Sequence, residues 1–527
     1  MSRHAFLGAA LAASFALACA APAAAKTFRW ANDGDIISMD PYARQETTLL
    51  SFASNIYEPL IQRDRQLKLE PALATEWSNP TPSVWRFKLR QGVKFHDGTP
   101  FTADDVVFSF RRSVTSQIAP IVATFKEVRK IDDFTVEIET KGPDPIVPEE
   151  ITDWFIMSRA WCEKNHAEKM ADPAKNEDNF AVRNANGTGP FMLKEREHEV
   201  KTVVVNNPNW WGKVEHNLTE IVFTRIANAS TRVAALVAGD VDMIYDVPTQ
   251  DIERLKNTPK IKVLQTPELR TVYLAFDTAR GELTESSVKG KNPFQDLRVR
   301  KAVYQAIDED AIKAKVMRGF AAPTGLMIGP GVNGFDPALN SRYPYDPEAA
   351  KKLLAEAGYP EGFEVAMDCP NDRYQNDEAI CVAVVSMLAR VGVKVNLQAQ
   401  TKTKFFTKIL APNYDTPFFM LGWTPATYDV HNMLVSLLHT RAPGGGVGQV
   451  NVGGYSNPKL DDLIEKIQVE TDRPKREALV HDALQIVKDD IPTIPLHQQA
   501  VVWATRDNIE LTQLADDFFP FRYVTVK

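Results

Sequence analysis

Hydrophobic and polar residues alternate with a period of two in parts of the N-terminal half, which is typical of β-strands with one buried face. The alternation is clearest between residues 85 and 95, where the apolar positions are Trp85, Phe87, Leu89, Val93 and Phe95. Because Gln91 and Gly92 interrupt it, we predict a β-hairpin here. The pair Asp97-Gly98 then predicts a turn.

A helix is predicted directly after this turn. Thr102 and Asp105 have the spacing of a capping box, in which the two residues satisfy the first free N–H groups of a helix. The preceding pair, His96 and Asp97, has the residue types of a catalytic site. No third catalytic group lies nearby in sequence, and turns select polar residues for their geometry alone. We therefore interpret His96 and Asp97 as scaffold.

The C-terminal half changes to a helical period and alternates helices with strands. Amphipathic helices are predicted within 297–312, 345–360, 377–391, 457–467 and 476–490, and a strand with alternating apolar residues follows at 393–397. Helices alternating with strands indicate an α/β fold in which helices cover the sheets.

An export signal is predicted at residues 1–25. Arg3 and His4 precede an apolar run from Ala5 to Ala20, and the run 23–25 offers the small residues that a signal peptidase accepts. The run is too short to span a bilayer. As an alternative, Cys19 would be a lipid anchor, although the two residues preceding Ala18 suit lipoprotein processing poorly.

Length and charge limit the class of protein. The 502 residues left after the signal exceed the ~250–300 at which single cores stop growing, so at least two domains are expected. The net charge is −7, or −8 without Arg3, and no footprint for nucleic acid follows from it.

Cysteine usage adds one candidate cross-link. In an oxidising compartment Cys369 and Cys381, twelve positions apart, could form a disulfide. Cys162 would then remain as a buried, small hydrophobic residue.

Enzyme motifs are missing from the sequence. Asp429, His431 and His439 lie close together, but the chain has neither HExxH nor a paired CxxC, so no metal site is predicted. Ser38 and the other candidate serines lack a Gly-x-Ser-x-Gly setting. We predict no catalytic residues, no enzymatic activity and no cofactor.

Several segments in one order resemble the family 5 extracellular solute-binding proteins, the peptide- and nickel-type receptors of bacterial ABC importers. The segments are MDPY (39–42), IYEPLI (56–61), PALATEW (71–77), FKLRQGVKFHDGTPFTADDVVFS (87–109), NGTGPFML (186–193), AALVAGDVDMI (234–244), YLAFDT (273–278), DLRVRKAVYQAID (296–308) and GYSNPKLDDLI (454–464). They cover nearly the whole chain after the signal.

The resemblance implies a two-lobed α/β fold of the large oligopeptide-receptor type with a two-strand hinge. Lobe 1 would comprise 26–270, with an extra subdomain at about 56–185, and the chain would return to it at 497–527. Lobe 2 would comprise 271–496. The resemblance further implies a monomeric periplasmic receptor that encloses a solute between its lobes and delivers it to an ABC permease.

The resemblance also suggests ligand contacts on lobe 2. Gly422 and Trp423 match a segment that lines the family's pocket, whereas Ala426 replaces an aspartate that receives a peptide's amino terminus. Asp429 is therefore the candidate amine anchor, with Tyr428 beside it; the alternatives are core packing for Trp423 and a solvated carboxylate for Asp429.

Arg373 is the candidate partner for a ligand carboxylate, because its planar guanidinium makes two parallel bonds to a carboxylate. The alternative is a surface arginine that pairs with Asp372 or Asp377. On lobe 1 the resemblance suggests contacts from Ile37, Ser38 and Tyr42. A di- or oligopeptide is the expected ligand; opines, oligosaccharides and metal chelates stay open, as does a periplasmic hydrolase.

Overall fold

The computed structural model describes residues 26–171, 177–245, 247–442 and 446–527. The predicted signal peptide at 1–25, with the alternative lipid anchor at Cys19, lies outside the described residues. Among the helices of the described part, none combines the length and the apolar character that a membrane span requires.

The strands are β1 (Thr27–Asn32), β2 (Ile61–Arg63), β3 (Leu69–Pro71), β4 (Ala74–Thr81), β5 (Val84–Leu89), β6 (Phe125–Asp132), β7 (Thr135–Thr140), β8 (Phe191–Glu197), β9 (Lys201–Asn206), β10 (Glu220–Arg225), β11 (Met243–Ile244), β12 (Ile261–Phe276), β13 (Ala321–Pro323), β14 (Phe363–Pro370), β15 (Val393–Gln400), β16 (Phe418–Trp423), β17 (Thr493–Arg506), β18 (Ile509–Glu510) and β19 (Thr525–Val526).

The helices are α1 (Thr47–Ala53), α2 (Ala103–Ser113), α3 (Val147–Glu150), α4 (Arg159–Lys164), α5 (Phe180–Arg183), α6 (Ala229–Ala238), α7 (Ile252–Lys256), α8 (Leu297–Gln305), α9 (Glu309–Ala311), α10 (Pro347–Glu356), α11 (Asp377–Ala389), α12 (Lys402–Ile409), α13 (Val430–Met433), α14 (Pro458–Val469) and α15 (Arg473–Asp490).

Two long strands, β12 and β17, cross between the halves of the molecule. The main sheet has the order β15-β14-β16-β12-β17-β11-β1-β10-β9-β8, so these two strands are its centre. Their antiparallel pairing breaks between Pro267 and Thr271 and resumes at Gln498 of β17. The predicted lobe boundaries, after Arg270 and before His497, fall inside these strands. The α/β fold with a two-strand hinge is confirmed.

Hydrophobic cores lie on both sides of this hinge. Lobe 1 has a core that extends from β1 into the four-stranded sheet β4-β5-β7-β6, where Phe87 and Val136 are completely buried. Lobe 2 has a core around Val272 and Met367, and a further core around Leu434 also includes Leu67 and Leu514 of lobe 1. The lobes therefore share two strands and also contact each other through apolar side chains.

The predicted hairpin at 85–95 is wrong in its pairing. The strand β5 pairs with β4 before it and with β7 after it. Val93 and Phe95 are buried, but they lie in irregular chain and form no strand. Their apolar side chains fill the core from a loop, and a period of two cannot separate that case from a strand.

His96 holds two segments of lobe 1 together. Its Nδ1 accepts the Gly187 N–H at 3.3 Å, and its Nε2 donates to the Gly189 carbonyl at 3.0 Å. A Cβ at Gly187 would lie 1.9 Å from the Ile56 carbonyl oxygen, so only glycine fits there. Burial lowers the pKa of His96 to about 4. Its two ring contacts are thus structural, as the scaffold interpretation expected. The capping box of Thr102 and Asp105 is present at the start of α2.

A disulfide joins Cys369 at the end of β14 to Cys381 in α11. It ties the helix to the sheet beneath it. Cys162 is buried and has a free thiol.

Candidate ligand-binding site

A cleft of about 750 Å³ lies where the two lobes meet the hinge. Lobe 1 lines it with Thr47 at the start of α1 and with the segment 515–517, the hinge strands with Glu268 and Gln499, and lobe 2 with Gln375 and Ala426. This volume is within the range of small-molecule sites. A ligand in this cleft would touch both lobes at once.

Charged side chains of opposite sign meet on the hinge strand. Arg270 and Glu268 lie two residues apart on β12, so their side chains project from the same face. The Arg270 Nη1 lies 3.1 Å from the Glu268 Oε1, and Gln499 of β17 donates its Nε2 to the other oxygen at 3.4 Å. Burial raises the pKa of Glu268, and the positive charges of Arg270 and Arg373 oppose that rise.

Arg373 lies at the lobe 2 side of this group. Its backbone N–H donates to Asp377 at 2.8 Å, as does the N–H of Tyr374 at 3.0 Å, so the carboxylate of Asp377 organises the turn before α11. The Arg373 guanidinium lies 5.1 Å from the Tyr374 ring centre and is exposed. Among the described carboxylates, including Asp372 and Asp377, none forms an ion pair with it. Arg373 is therefore available to a ligand carboxylate.

Gly422 allows these side chains to converge. The Tyr374 hydroxyl accepts its N–H at 2.9 Å. A Cβ at this position would lie 2.7 Å from the Tyr374 ring and 3.2 Å from the Arg270 Cδ. A larger residue would push apart the hinge arginine and the turn that carries Arg373.

Trp423 follows Gly422 at the end of β16 and is half-buried against a lobe 2 core. Its Nε1 has no hydrogen-bond partner within the described part of the chain. Ala426, two residues after Thr424, is exposed and lines the cleft, so the position where the resemblance expected an aspartate does face the ligand space. Trp423 stays a proposed contact.

Asp429 requires a correction, because its side chain is completely buried inside lobe 2. Both of its carboxylate oxygens bond to Arg476, and they also accept from Asn333 and from the His431 N–H. A carboxylate that is already satisfied on all sides cannot receive a ligand amine from the cleft. Asp429 is a structural residue in this conformation.

Tyr428 is placed between the lobes and not on the cleft wall. Its hydroxyl donates to Asp516 of lobe 1 at 3.3 Å, and the guanidinium of Arg63 lies 4.0 Å from its ring centre. The backbone of Tyr428 has a positive φ of 53°, which is uncommon for a residue other than glycine. Tyr428 thus contributes a contact between lobes.

The lobe 1 candidates are also corrected. Ser38 and Tyr42 are completely buried, and the Tyr42 hydroxyl donates to the Phe155 carbonyl at 2.7 Å. Ser38 accepts the Asp40 N–H, and Ile37 packs against the lobe 1 core. These residues build a loop around the buried ion pair of Asp40 and Arg112. They do not line the cleft.

The hinge residues Glu268, Arg270 and Gln499 were not predicted as cleft residues from the sequence. The signal was present in the segment PELRTVYLAF (267–276), where two charges stand at the start of a run that is otherwise apolar. Charged residues at the start of a strand are usually exposed to solvent, so these two charges by themselves do not indicate a binding site. Only the crossing of β12 with β17 shows that it faces a cleft.

A two-lobed α/β fold with a hinge of two strands and a solute-sized cleft defines the class of periplasmic-type binding proteins. The family model of bacterial extracellular solute-binding proteins, family 5 (middle), matches residues 68–445. The chain belongs to this family, whose members bind a small ligand for an ABC transporter, and it is a binding protein and not an enzyme.

Relatives agree over nearly the full length. The chain is 28% identical to heme-binding protein A of Haemophilus influenzae over 478 residues, 85% of this chain and 83% of the relative. It is 26% identical to the dipeptide-binding protein of Escherichia coli, with 94% and 93% covered. The solved structure of HbpA2 from Haemophilus parasuis matches with a TM-score of 0.81 at 24% identity and covers 95% of this chain and 100% of that one. That likeness establishes the fold.

Proposed function

We propose that the protein is a periplasmic receptor that captures a short peptide in the cleft and delivers it to an ABC permease. One observation carries the peptide assignment. The exposed Arg373 guanidinium, free of carboxylate partners among the described residues, lies near a cleft in which Glu268 supplies a negative charge. Peptides carry a carboxylate and an ammonium, and each needs a partner when the ligand leaves water. The similarity to a dipeptide-binding protein supports the same ligand class.

The hinge supplies the mechanism of capture. Lobes that sample open and closed arrangements are biased toward the closed one by a ligand that contacts both. Here a peptide between Thr47 of lobe 1 and Gln375 of lobe 2 would bridge the cleft. Closure removes water and strengthens the charge-assisted bonds to Arg373.

The test is a thermal-shift measurement on refolded, ligand-free protein with Ala-Ala, Ala-Ala-amide, hemin, an opine and an oligosaccharide. A ligand at ~100 times its Kd adds about 2.7 kcal/mol to the free energy of unfolding. We expect stabilisation by Ala-Ala and much less by the amide, because the amide lacks the carboxylate.

Variants separate the role of Arg373 from a general charge effect. Arg373→Gln should weaken Ala-Ala binding about 10- to 100-fold, since a hydrogen bond to a charged group contributes ~1.5–3 kcal/mol. Arg390→Gln changes another exposed arginine, beyond the other end of α11, and should leave binding unchanged. Stabilisation by hemin, the opine or the oligosaccharide alone would refute the peptide assignment.

A further inference from the structure

We propose that Leu67, at the tip of the β2–β3 hairpin of lobe 1, is a latch that keeps the cleft open by inserting against Gly331 of lobe 2 behind the hinge. The contact has to separate when the cleft closes, so it sets the affinity for a ligand without touching the ligand. This inference rests on the proposed function only in taking the cleft to close on a ligand, and it holds whatever that ligand is.

Leu67 packs into lobe 2 and not into its own lobe. Its side chain is 5% exposed and belongs to the core around Leu434. A Cβ at Gly331 would lie 2.9 Å from the Leu67 Cδ1 and 3.5 Å from the Leu67 Cβ. Gly331 also has a positive φ of 96°, which favours glycine. Gly331 is therefore a socket that leaves room for the leucine of the other lobe.

This contact lies on the face of the hinge strand that is opposite the cleft charges. Glu268 and Arg270 pair with each other on the cleft face of β12. Leu269, between them on the cleft wall, projects its side chain from the other face, because side chains alternate along a strand. There it is 2% exposed, and its Cδ2 lies 3.5 Å from the Cβ position of Gly331. The latch is thus behind the hinge.

The backbone at Leu67 supports a role for its side chain. Leu67 has a positive φ of 61°, in a turn where its N–H donates to the Asp64 carbonyl and where the Asp64 carboxylate accepts the N–H groups of Gln66 and Lys68. Turns usually place glycine or asparagine at such a φ, since other side chains strain the backbone. A leucine held there points to a function for the contact that it makes.

Arg63 fixes the hairpin and carries it to lobe 2. Its Nη1 donates to the Leu67 carbonyl at 2.9 Å, which holds the turn, and its guanidinium lies 4.0 Å from the centre of the Tyr428 ring. The Tyr428 hydroxyl in turn donates to Asp516 of lobe 1 at 3.3 Å. Polar and cation–π contacts between the lobes therefore add to the apolar contact of Leu67.

The cleft is open in the arrangement that contains these contacts. Thr47 and Gln250 of lobe 1 and Thr424 and Ala426 of lobe 2 line the cleft and are exposed. A rotation about β12 and β17 that narrows the cleft on one face moves the lobes apart on the other face. The free energy of the latch therefore opposes closure, and the apparent Kd rises as the population that can close falls.

The first experiment locks the latch with an engineered disulfide. In Leu67→Cys/Gly331→Cys the two Cβ atoms would be 3.5 Å apart, within the range of disulfides. We expect the bond to form in the refolded, ligand-free protein. Isothermal titration calorimetry should then show that the locked protein binds Ala-Ala at least ~10-fold more weakly than the same protein after reduction, because a lock on the open state removes closure. Wild type in the same reductant controls for the native bond between Cys369 and Cys381.

The second experiment weakens the latch. Leu67→Ala should bind Ala-Ala about 4- to 15-fold more tightly than wild type, the factor that the burial of one or two methylene groups contributes. Leu297→Ala, at an exposed leucine of α8, should bind as wild type does. Because Leu67 does not touch the ligand, Ala-Ala-Ala should gain by the same factor as Ala-Ala. Thermal unfolding checks that both variants are folded at the temperature of the titration.

Three outcomes would overturn the latch. They are a disulfide that does not form in the ligand-free protein, a locked protein that binds as tightly as its reduced form, and a Leu67→Ala variant that binds no more tightly than Leu297→Ala. If Ala-Ala does not bind to wild type and hemin, the opine or the oligosaccharide does, the peptide assignment is refuted. The same titrations with that ligand then test the latch separately.

Discussion

Asp429 and Arg476 form a two-point ion pair inside lobe 2, with 2.9 Å between Nη1 and Oδ2 and 2.8 Å between Nη2 and Oδ1. The Asp429 side chain is completely buried, and Arg476 also donates to the Ile467 carbonyl. The pair connects the start of α13 to α15. Asp429 stands three residues after Ala426, which lines the cleft.

Replacing Arg476 with Met should lower the free energy of unfolding by about 3–5 kcal/mol, because Asp429 would stay buried without its partner. Chemical denaturation measures the change. The matched control is Arg473→Met, which breaks the exposed pair with Glu477 and should shift stability by less than about 0.5 kcal/mol.

Asp429→Asn provides the corresponding test of ligand binding. Because Asp429 faces Arg476 and not the cleft, peptide affinity measured below the unfolding transition should match that of wild type. A selective loss of affinity for ligands with a free amine would restore Asp429 to the binding site.

The pKa of His96 predicts a dependence of stability on pH. Burial lowers this pKa to about 4, whereas an unfolded histidine titrates near ~6.5. Between these values the unfolded chain binds the proton, so the contribution of His96 is complete above pH ~6.5 and is lost at ~1.4 kcal/mol per pH unit on acidification. Denaturation at several pH values measures the free energy of unfolding of wild type and of His96→Gln. The difference between the two should shrink as the pH falls toward 4. The exposed His166→Gln should leave the profile unchanged.

Asp153 should make stability depend on pH in the opposite direction. It lies in a small cavity of lobe 1 with Arg63 and Asp516, and burial raises its pKa to about 7. An unfolded aspartate titrates near ~3.9, so the folded state holds the proton between these values and loses stability as pH rises. Asp153→Asn should therefore be more stable than wild type at pH 8, on the order of a few kcal/mol, and similar at pH 4. Asp133→Asn, at an exposed carboxylate, serves as the control. If the extra stability of Asp153→Asn over wild type does not grow with pH, the raised pKa of Asp153 is contradicted.

The disulfide should contribute about 2–4 kcal/mol, because it restricts the unfolded chain. Replacing both Cys369 and Cys381 with Ser should lower the unfolding midpoint accordingly. A thiol titration of the exported chain in denaturant should find one reactive group, Cys162, before reduction and three after it. Three thiols before reduction would rule out the bond.

Local sequence patterns determined much of the fold. The capping box at Thr102 starts α2, and Pro347 after Asp346 starts α10, because caps depend on neighbours within one turn. The helical period of apolar residues in the second half predicted helices that are present in the structure. The motifs shared with family 5 predicted the family. The hairpin at 85–95 failed because burial of Val93 and Phe95 from a loop leaves the same apolar pattern as a strand.

Only the tertiary structure decided which charges meet. Asp429 and Arg476 are 47 residues apart, His96 and Gly189 are 93 apart, and Glu268 and Gln499 are 231 apart. The residue types alone made Asp429 a plausible ligand contact and Glu268 an ordinary strand residue. A carboxylate's role depends on the donors that folding brings within about 3 Å of it, and that distance is set by how β12, β17 and α15 pack and not by their sequences taken singly.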